Sequence, residues 1–166
     1  MRKDLRKRVR TKDRLCAACK AAGQCYYGLT ELYFDDAAGV MHCRVTCGAN
    51  HEGGSSVAHG GWICAVMDEL LGQHVIERYG STVTATLTVD FKRPVTIDEP
   101  VIGRSWLESN EGRKVKAAGE LRLEASGALL ATATGLFIIS AADHHDRHAA
   151  WLREQKAIAG QQDTTA

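Results

Sequence analysis

A histidine, two glycines and a carboxylate stand at a spacing that could support acyl-transfer chemistry. His59, Gly60 and Gly61 precede a run without proline, and Asp68 follows the histidine by nine positions. The first N–H groups of a helix lack intrahelical partners and carry a partial positive charge, and glycines let a ligand approach them closely. Such a helix start could stabilise a developing oxyanion, while Asp68 could activate water or attack a carbonyl.

The run that begins at these glycines has the periodicity of an amphipathic helix, and it separates two neighbouring carboxylates. At about 100° per residue, Asp68 falls at the edge of the apolar face and Glu69 falls about 100° further round. A carboxylate at the rim of a core is costly to bury unpaired. Asp68 is therefore the stronger candidate, although helical phase alone does not exclude Glu69. The apolar face comprises Ile63, Val66, Met67, Leu70 and His74.

Six segments rich in β-forming residues surround this one long helix, which Gly80 is expected to end. Residues 82–91 alternate strictly, and we expect the apolar set of that strand to pack on the helix. A single helix can cover such a sheet only if the sheet wraps around it. The pattern predicts an α+β fold with one central helix and a curved antiparallel sheet of about six strands. The segments are 29–34, 40–46, 82–91, 101–107, 114–123 and 129–139, followed by a terminal helix over 144–158.

Three further motifs extend the pattern beyond His59-Gly60-Gly61 and Asp68. They are Thr84-Ala85-Thr86-Leu87, Phe91-Lys92-Arg93-Pro94 and Glu111-Gly112-Arg113-Lys114-Val115. In combination these motifs resemble the acyl-CoA thioesterases of the hotdog superfamily, in the PaaI- and THEM4-like branch, over roughly residues 29–140. The resemblance implies the hotdog fold and hydrolysis of an acyl-CoA to free acid and CoA, without a cofactor. It also implies a homodimer or homotetramer with sites at the dimer interface.

The resemblance and the helix start together suggest roles for the catalytic candidates. Asp68 would be general base or nucleophile, contributed by the partner subunit relative to His59 and Gly61. Gly60 and Gly61 would form the oxyanion hole, His59 would bind the thioester carbonyl or hold the loop, and Thr84 would orient the attacking water. Simpler explanations stay open: glycines that only allow close packing, a helix-capping histidine, and a threonine that is an ordinary strand residue.

Four residues are expected to bind the substrate. Arg93, Arg113 and Lys114 would meet the phosphates of CoA, with arginine able to make bidentate contacts. Phe91 is assigned to the same group because it begins the motif that contains Arg93. The alternative for the three cations is an ordinary solvated surface at turns.

The N-terminal segment differs from the rest of the chain. We divide the chain into a basic, cysteine-containing segment (1–28), the thioesterase domain (29–140) and a C-terminal helix and tail (141–166). Residues 1–14 hold eight Lys or Arg and two Asp, although the net charge is only +1. Cys16, Cys19 and Cys25 form half of a zinc signature without a clear fourth ligand, so we predict no metal.

Composition limits the possible locations and partners. Hydrophobic residues at 45% and charged residues at 25% are ordinary globular values. No apolar run approaches the roughly 20 residues of a membrane span, and no signal region follows the basic start. We expect a cytoplasmic protein that binds acyl-CoA and neither nucleic acid nor membrane. The alternatives are a non-catalytic hotdog acyl-CoA-binding protein, a hotdog hydratase, and a zinc or nucleic-acid module built on the N-terminal segment.

Overall fold

One long helix, α1 (Gly60–Tyr79), packs against the main antiparallel sheet. The computed structural model describes residues 7–8, 25–141 and 143–162. His59 is the N-cap of α1, and Gly80 ends the helix with φ of 85°, a left-handed backbone that favours glycine. The predicted apolar face is confirmed, because all five of its residues are buried.

Seven strands form the main antiparallel sheet, and two short strands form a separate hairpin. The strands of the main sheet are β1 (Lys7–Arg8), β2 (Leu29–Asp35), β3 (Val40–Thr46), β6 (Thr82–Phe91), β7 (Pro100–Glu111), β8 (Lys114–Leu123) and β9 (Leu129–Ile139); β4 (Glu52–Gly54) and β5 (Val57–Ala58) form the hairpin. The order in the main sheet is β1-β2-β3-β7-β8-β9-β6. The α+β fold with a central helix is confirmed, as are the six main strands, and the two-residue β1 adds a seventh at the β2 edge.

The structure differs from the sequence prediction in the end of one strand and in the segment before α1. Strand β7 continues four residues beyond the predicted end at Leu107. The prediction stopped early because a bulge between Leu107 and Ser109 interrupts the alternation of side chains. Between β3 and α1, where no strand was predicted, the chain also forms the β4–β5 hairpin and a 3-10 turn, Ala49–His51. The glycine-rich sequence of this segment gave no periodic signal.

Strand β6 contains a bulge that reverses the face on which its first residues lie. Thr84 pairs with Phe137 of β9 and Thr86 pairs with Leu136, so Ala85 is an extra residue. The expectation that the apolar set of this strand faces the helix throughout is therefore wrong. Leu87 packs on the core after the bulge, and Thr84 faces α1 before it. One inserted residue explains the change, since side chains alternate with a period of two.

The core lies between α1 and the sheet, and it contains one buried imidazole. His74 is 1% exposed, and its Nδ1 lies 3.1 Å from the Ser105 hydroxyl oxygen. Its ring also makes an edge contact with Phe34, at 5.2 Å between ring centroids. Burial is the main cause that lowers the pKa of His74 from 6.5 to about 4; the positive charge of Arg78 lowers it further, and a hydrogen bond with Ser105 opposes the shift.

Because this imidazole is buried in its neutral form, we expect it to lower the free energy of unfolding in mild acid. The unfolded histidine binds a proton below about pH 6.5, while folded His74 stays neutral down to about pH 4. At His74 the unfolded state thus binds more protons in this window, which should lower the free energy of unfolding by about 2 kcal/mol between pH 7 and pH 5, while the raised pKa of Glu69 acts in the opposite direction. Denaturant titrations at the two pH values measure the effect. His74→Gln should remove the His74 contribution and His148→Gln, on an exposed side chain, should not; the same pH dependence in the wild type and in His74→Gln would contradict the prediction.

The terminal helix α2 spans His144–Gln162 and extends beyond its predicted end at residue 158. Its Trp151, Leu152 and Ile158 side chains are exposed. Apart from β1, the basic arm lies outside the described residues, as do Cys16, Cys19 and the last four residues. Within the part of the chain that the structure describes, no helix is both long and apolar enough to cross a membrane.

Candidate active site

Asp68 and Thr84 form a directly bonded pair at the edge of the sheet. The Thr84 hydroxyl donates to Asp68 Oδ1 at 2.8 Å, joining the third turn of α1 to strand β6. Asp68 is half-buried and Thr84 is exposed. The β6 bulge makes this contact possible, because it places Thr84 on the helix side. Among the described residues no partner is seen for Asp68 Oδ2, which leaves that oxygen to accept a proton from water.

The start of α1 is organised by the His59 side chain. His59 Nδ1 accepts a hydrogen bond from the Gly61 N–H at 2.8 Å. The Trp62 and Ile63 N–H groups both donate to the His59 carbonyl, at 2.9 and 3.3 Å. Of the first four N–H groups of the helix, only that of Gly60 has no acceptor among the described residues. The structure therefore gives Gly61 another partner and leaves Gly60 as the N–H that a ligand can reach.

Two neighbours fix this helix start. The Phe91 ring is 54% exposed and lies over Gly60, where an added Cβ would be 3.6 Å from the ring. Gly53 lies against the His59 backbone, and a Cβ on Gly53 would come within 2.5 Å of His59 Cα. Gly53 was not among the residues that sequence motifs singled out. Its proximity to His59 depends on the β4–β5 hairpin, which periodicity could not reveal.

The basic candidates lie at opposite ends of strand β9. Arg93 Nη1 donates to the carbonyl of Leu129, the first residue of that strand, at 2.9 Å. Arg113 Nε donates to the carbonyl of Ile139, its last residue, at 3.0 Å. At about 3.3 Å per residue the two carbonyls are about 33 Å apart along the strand. Exposed Lys114 follows Arg113 in sequence and pairs with Ile138 near the same end.

The candidates thus form two groups at the two ends of β6. The carboxylate group lies near the first residues of β6, and the helix-start group lies near its last residue. Direct contacts join Asp68 to Thr84 in the first group and His59, Gly60, Gly61 and Phe91 in the second, while the basic residues lie near the same strand ends without touching them. Within one protomer no contact joins these two groups of described residues. The carboxylate group is Asp68, Thr84, Arg113 and Lys114; the helix-start group is His59, Gly60, Gly61, Phe91 and Arg93.

Glu69 belongs to neither group. Its Oε1 accepts a hydrogen bond from Gln73 Nε2 at 2.9 Å, one turn further along the helix. Burial is the main cause that raises the pKa of Glu69; the bond from Gln73 opposes the shift, and the nearby charge of Asp68 adds to it. The side chain makes no hydrogen bond to Thr84. This agrees with the helical phase, which placed Glu69 about 100° further round the helix than Asp68.

A metal centre has no visible support in the described part of the chain. There, no group of three or more histidine, cysteine, aspartate or glutamate side chains is placed to hold a metal ion. Cys25 is a free, half-buried thiol. Because Cys16 and Cys19 fall outside the described residues, the absence of a zinc requirement stays a prediction.

Known proteins share this fold and part of this sequence. Residues 55–129 match the model of the thioesterase superfamily. Acyl-coenzyme A thioesterase THEM4 of Xenopus laevis is 35% identical over 107 residues, which are 64% of this chain and 48% of that protein. The E. coli PaaI protein from the phenylacetic acid degradation operon has a TM-score of 0.64 at 16% identity, covering 79% of this chain and 89% of that one.

A third similar protein was solved with a ligand. It is a hypothetical thioesterase protein of Streptococcus pneumoniae with coenzyme A, and it has a TM-score of 0.58 at 15% identity, covering 61% of this chain and 79% of that one. The chain spans about half the length of the curated relative that it matches. The fold is that of hotdog proteins. The matched segment is similar to the thioesterase superfamily, and the relatives that the chain resembles carry acyl-coenzyme A thioesterase names.

Proposed function

We propose that the chain is an acyl-CoA thioesterase that hydrolyses its substrate to a free acid and CoA. The observation that carries the proposal is the 2.8 Å bond between Thr84 and Asp68, which orients an accessible carboxylate at the open edge of the sheet. A carboxylate held in this way suits general-base or nucleophilic chemistry. The acyl-CoA thioesterase name of the Xenopus relative and the coenzyme A in the Streptococcus structure support the substrate class.

Asp68 has two possible roles in hydrolysis. As a general base, its Oδ2 takes a proton from a water molecule whose oxygen attacks the thioester carbonyl carbon. As a nucleophile, the carboxylate attacks that carbon itself and forms an anhydride, which water then opens. In both cases the C–S bond breaks and the CoA sulfur leaves with a proton taken up from the surroundings. Thr84 holds Oδ1 in either route and leaves Oδ2 directed to the reaction.

The Gly60 N–H is the proposed oxyanion donor. It opens a twenty-residue helix whose dipole favours negative charge at this end. One such donor is worth about 3–4 kcal/mol of transition-state stabilisation in acyl-transfer enzymes. The bond from Gly61 N–H makes His59 Nδ1 an acceptor, so the ring proton of neutral His59 lies on Nε2. His59 Nε2–H can then be a second donor to the thioester carbonyl.

A complete site requires two subunits. Strand β6 is the last strand of the sheet, and its outer edge has no partner among the described residues. A twofold axis at this edge would pair two copies of β6 in antiparallel fashion. The carboxylate group of one subunit would then lie beside the helix-start group of the other. We therefore propose a homodimer, or a tetramer built from it, with two shared sites per dimer.

A panel of acyl-CoA thioesters tests the function. Release of free thiol is followed for short, long, branched and aromatic acyl groups with the purified protein. We expect hydrolysis of at least one class well above the spontaneous rate. Tight CoA binding with no hydrolysis across the panel would favour the alternative, a non-catalytic acyl-CoA-binding protein.

Thr84→Val is expected to lower kcat without unfolding the protein. Valine keeps the shape of threonine but removes the hydroxyl that donates to Asp68, so the carboxylate loses its orientation. Loss of one such hydrogen bond predicts a roughly tenfold decrease in kcat. Steady-state kinetics measure it, with Thr88→Val in the same strand as the control. Unchanged kcat in Thr84→Val would show that the Asp68 contact has no catalytic role.

A further inference from the structure

A tight turn over residues 25–28, which we call the tyrosine turn, packs against the end of strand β3. The Gly28 N–H donates to the Cys25 carbonyl at 3.0 Å and closes the turn. Gly28 has φ of 82°, and a Cβ there would lie 2.5 Å from the carbonyl oxygen of Thr46, the last residue of β3. Glycine permits both this backbone conformation and this close approach, so the turn is held at one place on the sheet.

The two central residues of the tyrosine turn direct their carbonyl groups to side chains on both sides of His59. In the first turn of α1, the Trp62 Nε1–H donates to the Tyr27 carbonyl at 3.2 Å. In the 3-10 turn ahead of α1, His51 Nε2 lies 3.3 Å from the Tyr26 carbonyl oxygen. A carbonyl can only accept, so this contact places the ring proton of His51 on Nε2. The tyrosine turn therefore contacts the chain both before and after His59.

The 3-10 turn depends on the His51 side chain for its position. None of its three residues, Ala49–His51, is buried, so core packing does not hold it. The His51 ring makes an edge contact with the Tyr26 ring, at 5.1 Å between ring centroids. Asn50 Nδ2 also lies 3.4 Å from His51 Nε2, but this longer contact would need the opposite tautomer. The His51 carbonyl accepts the His59 N–H at 2.8 Å, so the placement of His51 is passed directly to the residue that caps α1.

We infer that the tyrosine turn is a positioning element of the active site, which fixes His59 and the Gly60 N–H through His51 and Trp62. The inference rests on the proposed thioesterase function, in which these two groups bind the thioester carbonyl oxygen. Every contact that carries it lies within one protomer. The turn precedes residue 29, where the sequence predicts the start of the thioesterase domain, and it precedes the segment that matches the thioesterase superfamily, 55–129. The site thus depends on residues that neither boundary includes.

Loss of a contact to the tyrosine turn should lower kcat more than it changes KM. The Gly60 N–H and His59 Nε2–H would bind the oxygen that becomes negative in the transition state, so their displacement affects the chemical step. His51→Leu and Trp62→Phe each remove one hydrogen bond to the turn, and each should decrease kcat by roughly three- to tenfold. His51→Gln retains an N–H near the position of His51 Nε2 and should recover most of the lost activity.

Amide resonances of the two helix-start glycines test the positioning without substrate. Selective ¹⁵N-glycine labelling restricts the NMR spectrum to 16 residues. The Gly61 N–H donates to His59 Nδ1, so its chemical shift reports where the histidine lies. We expect the Gly60 and Gly61 resonances to move in His51→Leu and to return towards their wild-type positions in His51→Gln. Both variants lack the imidazole ring, so the comparison between them is free of its ring current.

A second tyrosine–histidine pair in the same protein supplies the matched control. His42 of β3 stacks on Tyr33 of β2, at 4.9 Å between ring centroids, and neither residue belongs to the helix-start group. His42→Leu should leave kcat and the Gly60 and Gly61 resonances unchanged. Thermal unfolding verifies that each variant is folded at the assay temperature. Trp62 is buried, so if Trp62→Phe is not folded the variants of half-buried His51 carry the test alone.

The outcomes separate the positioning role from the function. Wild-type kcat and wild-type glycine resonances in His51→Leu would overturn the inference, as would a shift of the resonances with unchanged kcat in an active enzyme. If His51→Gln matches His51→Leu in both measurements, the effect comes from lost ring packing and the hydrogen-bonded positioning is refuted. A wild-type protein that hydrolyses no thioester refutes the proposed function, and the resonances alone then decide whether the turn positions the helix start.

Discussion

Asp68→Asn should lower kcat by about 10²–10⁴, the range that general acid–base catalysis contributes. The amide has nearly the same volume as the carboxylate, and its oxygen can still accept the bond from the Thr84 hydroxyl. It can neither take a proton from water nor attack a thioester. Steady-state kinetics on the best substrate of the thioester panel measure the effect, and CoA affinity should be preserved.

Glu69→Gln is the matched control for this substitution. It removes the neighbouring carboxylate, which contacts Gln73 and not Thr84, and the new amide oxygen can keep that contact. We expect kcat close to that of the wild type. Near wild-type kcat in Asp68→Asn would refute its catalytic role, and a large loss in Glu69→Gln instead would transfer that role to Glu69.

Two inactive variants should restore activity when their subunits are combined. Asp68→Asn removes the carboxylate, and Gly61→Val blocks the helix start, because a Cβ at Gly61 would lie 2.9 Å from His59 Nδ1. In a heterodimer with shared sites, one site carries both lesions and the other carries none. Activity should rise from background to about half the wild-type value per dimer. Tagged heterodimers isolated after subunit exchange allow the measurement.

Homodimers of each variant, taken through the same exchange, are the controls and should stay inactive. Verified heterodimers without activity would indicate that each site lies within one subunit.

The fold followed from periodicity because its main elements have strong, regular patterns. The five apolar positions of α1 all lie in the core, and the glycine at position 80 ends the helix as expected. Two of the deviations come from single inserted residues, in β6 and in β7, where alternation breaks. Such bulges depend on pairing with a neighbouring strand, which a local pattern does not contain.

The candidate site was less accessible to sequence analysis than the fold. Spacing identified Asp68 and the glycines of the helix start, and helical phase separated Asp68 from Glu69. Spacing could not show that the Gly61 N–H donates a hydrogen bond to the His59 side chain, because that bond depends on the rotamer of His59. It also could not show the contact of Gly53 with His59, which depends on the β4–β5 hairpin that contains Gly53.

The extra residue in β6 makes the site depend on strand pairing as well as on residue type. If β6 paired regularly with β9 over its present length, every candidate residue would be present, but Thr84 and Leu87 would lie on opposite faces and Thr84 would turn away from Asp68. A comparison that scores only matching residue types would still judge such a chain to have an intact site. Among related sequences, the pairing of β6 is therefore as informative about activity as the identity of Asp68 itself.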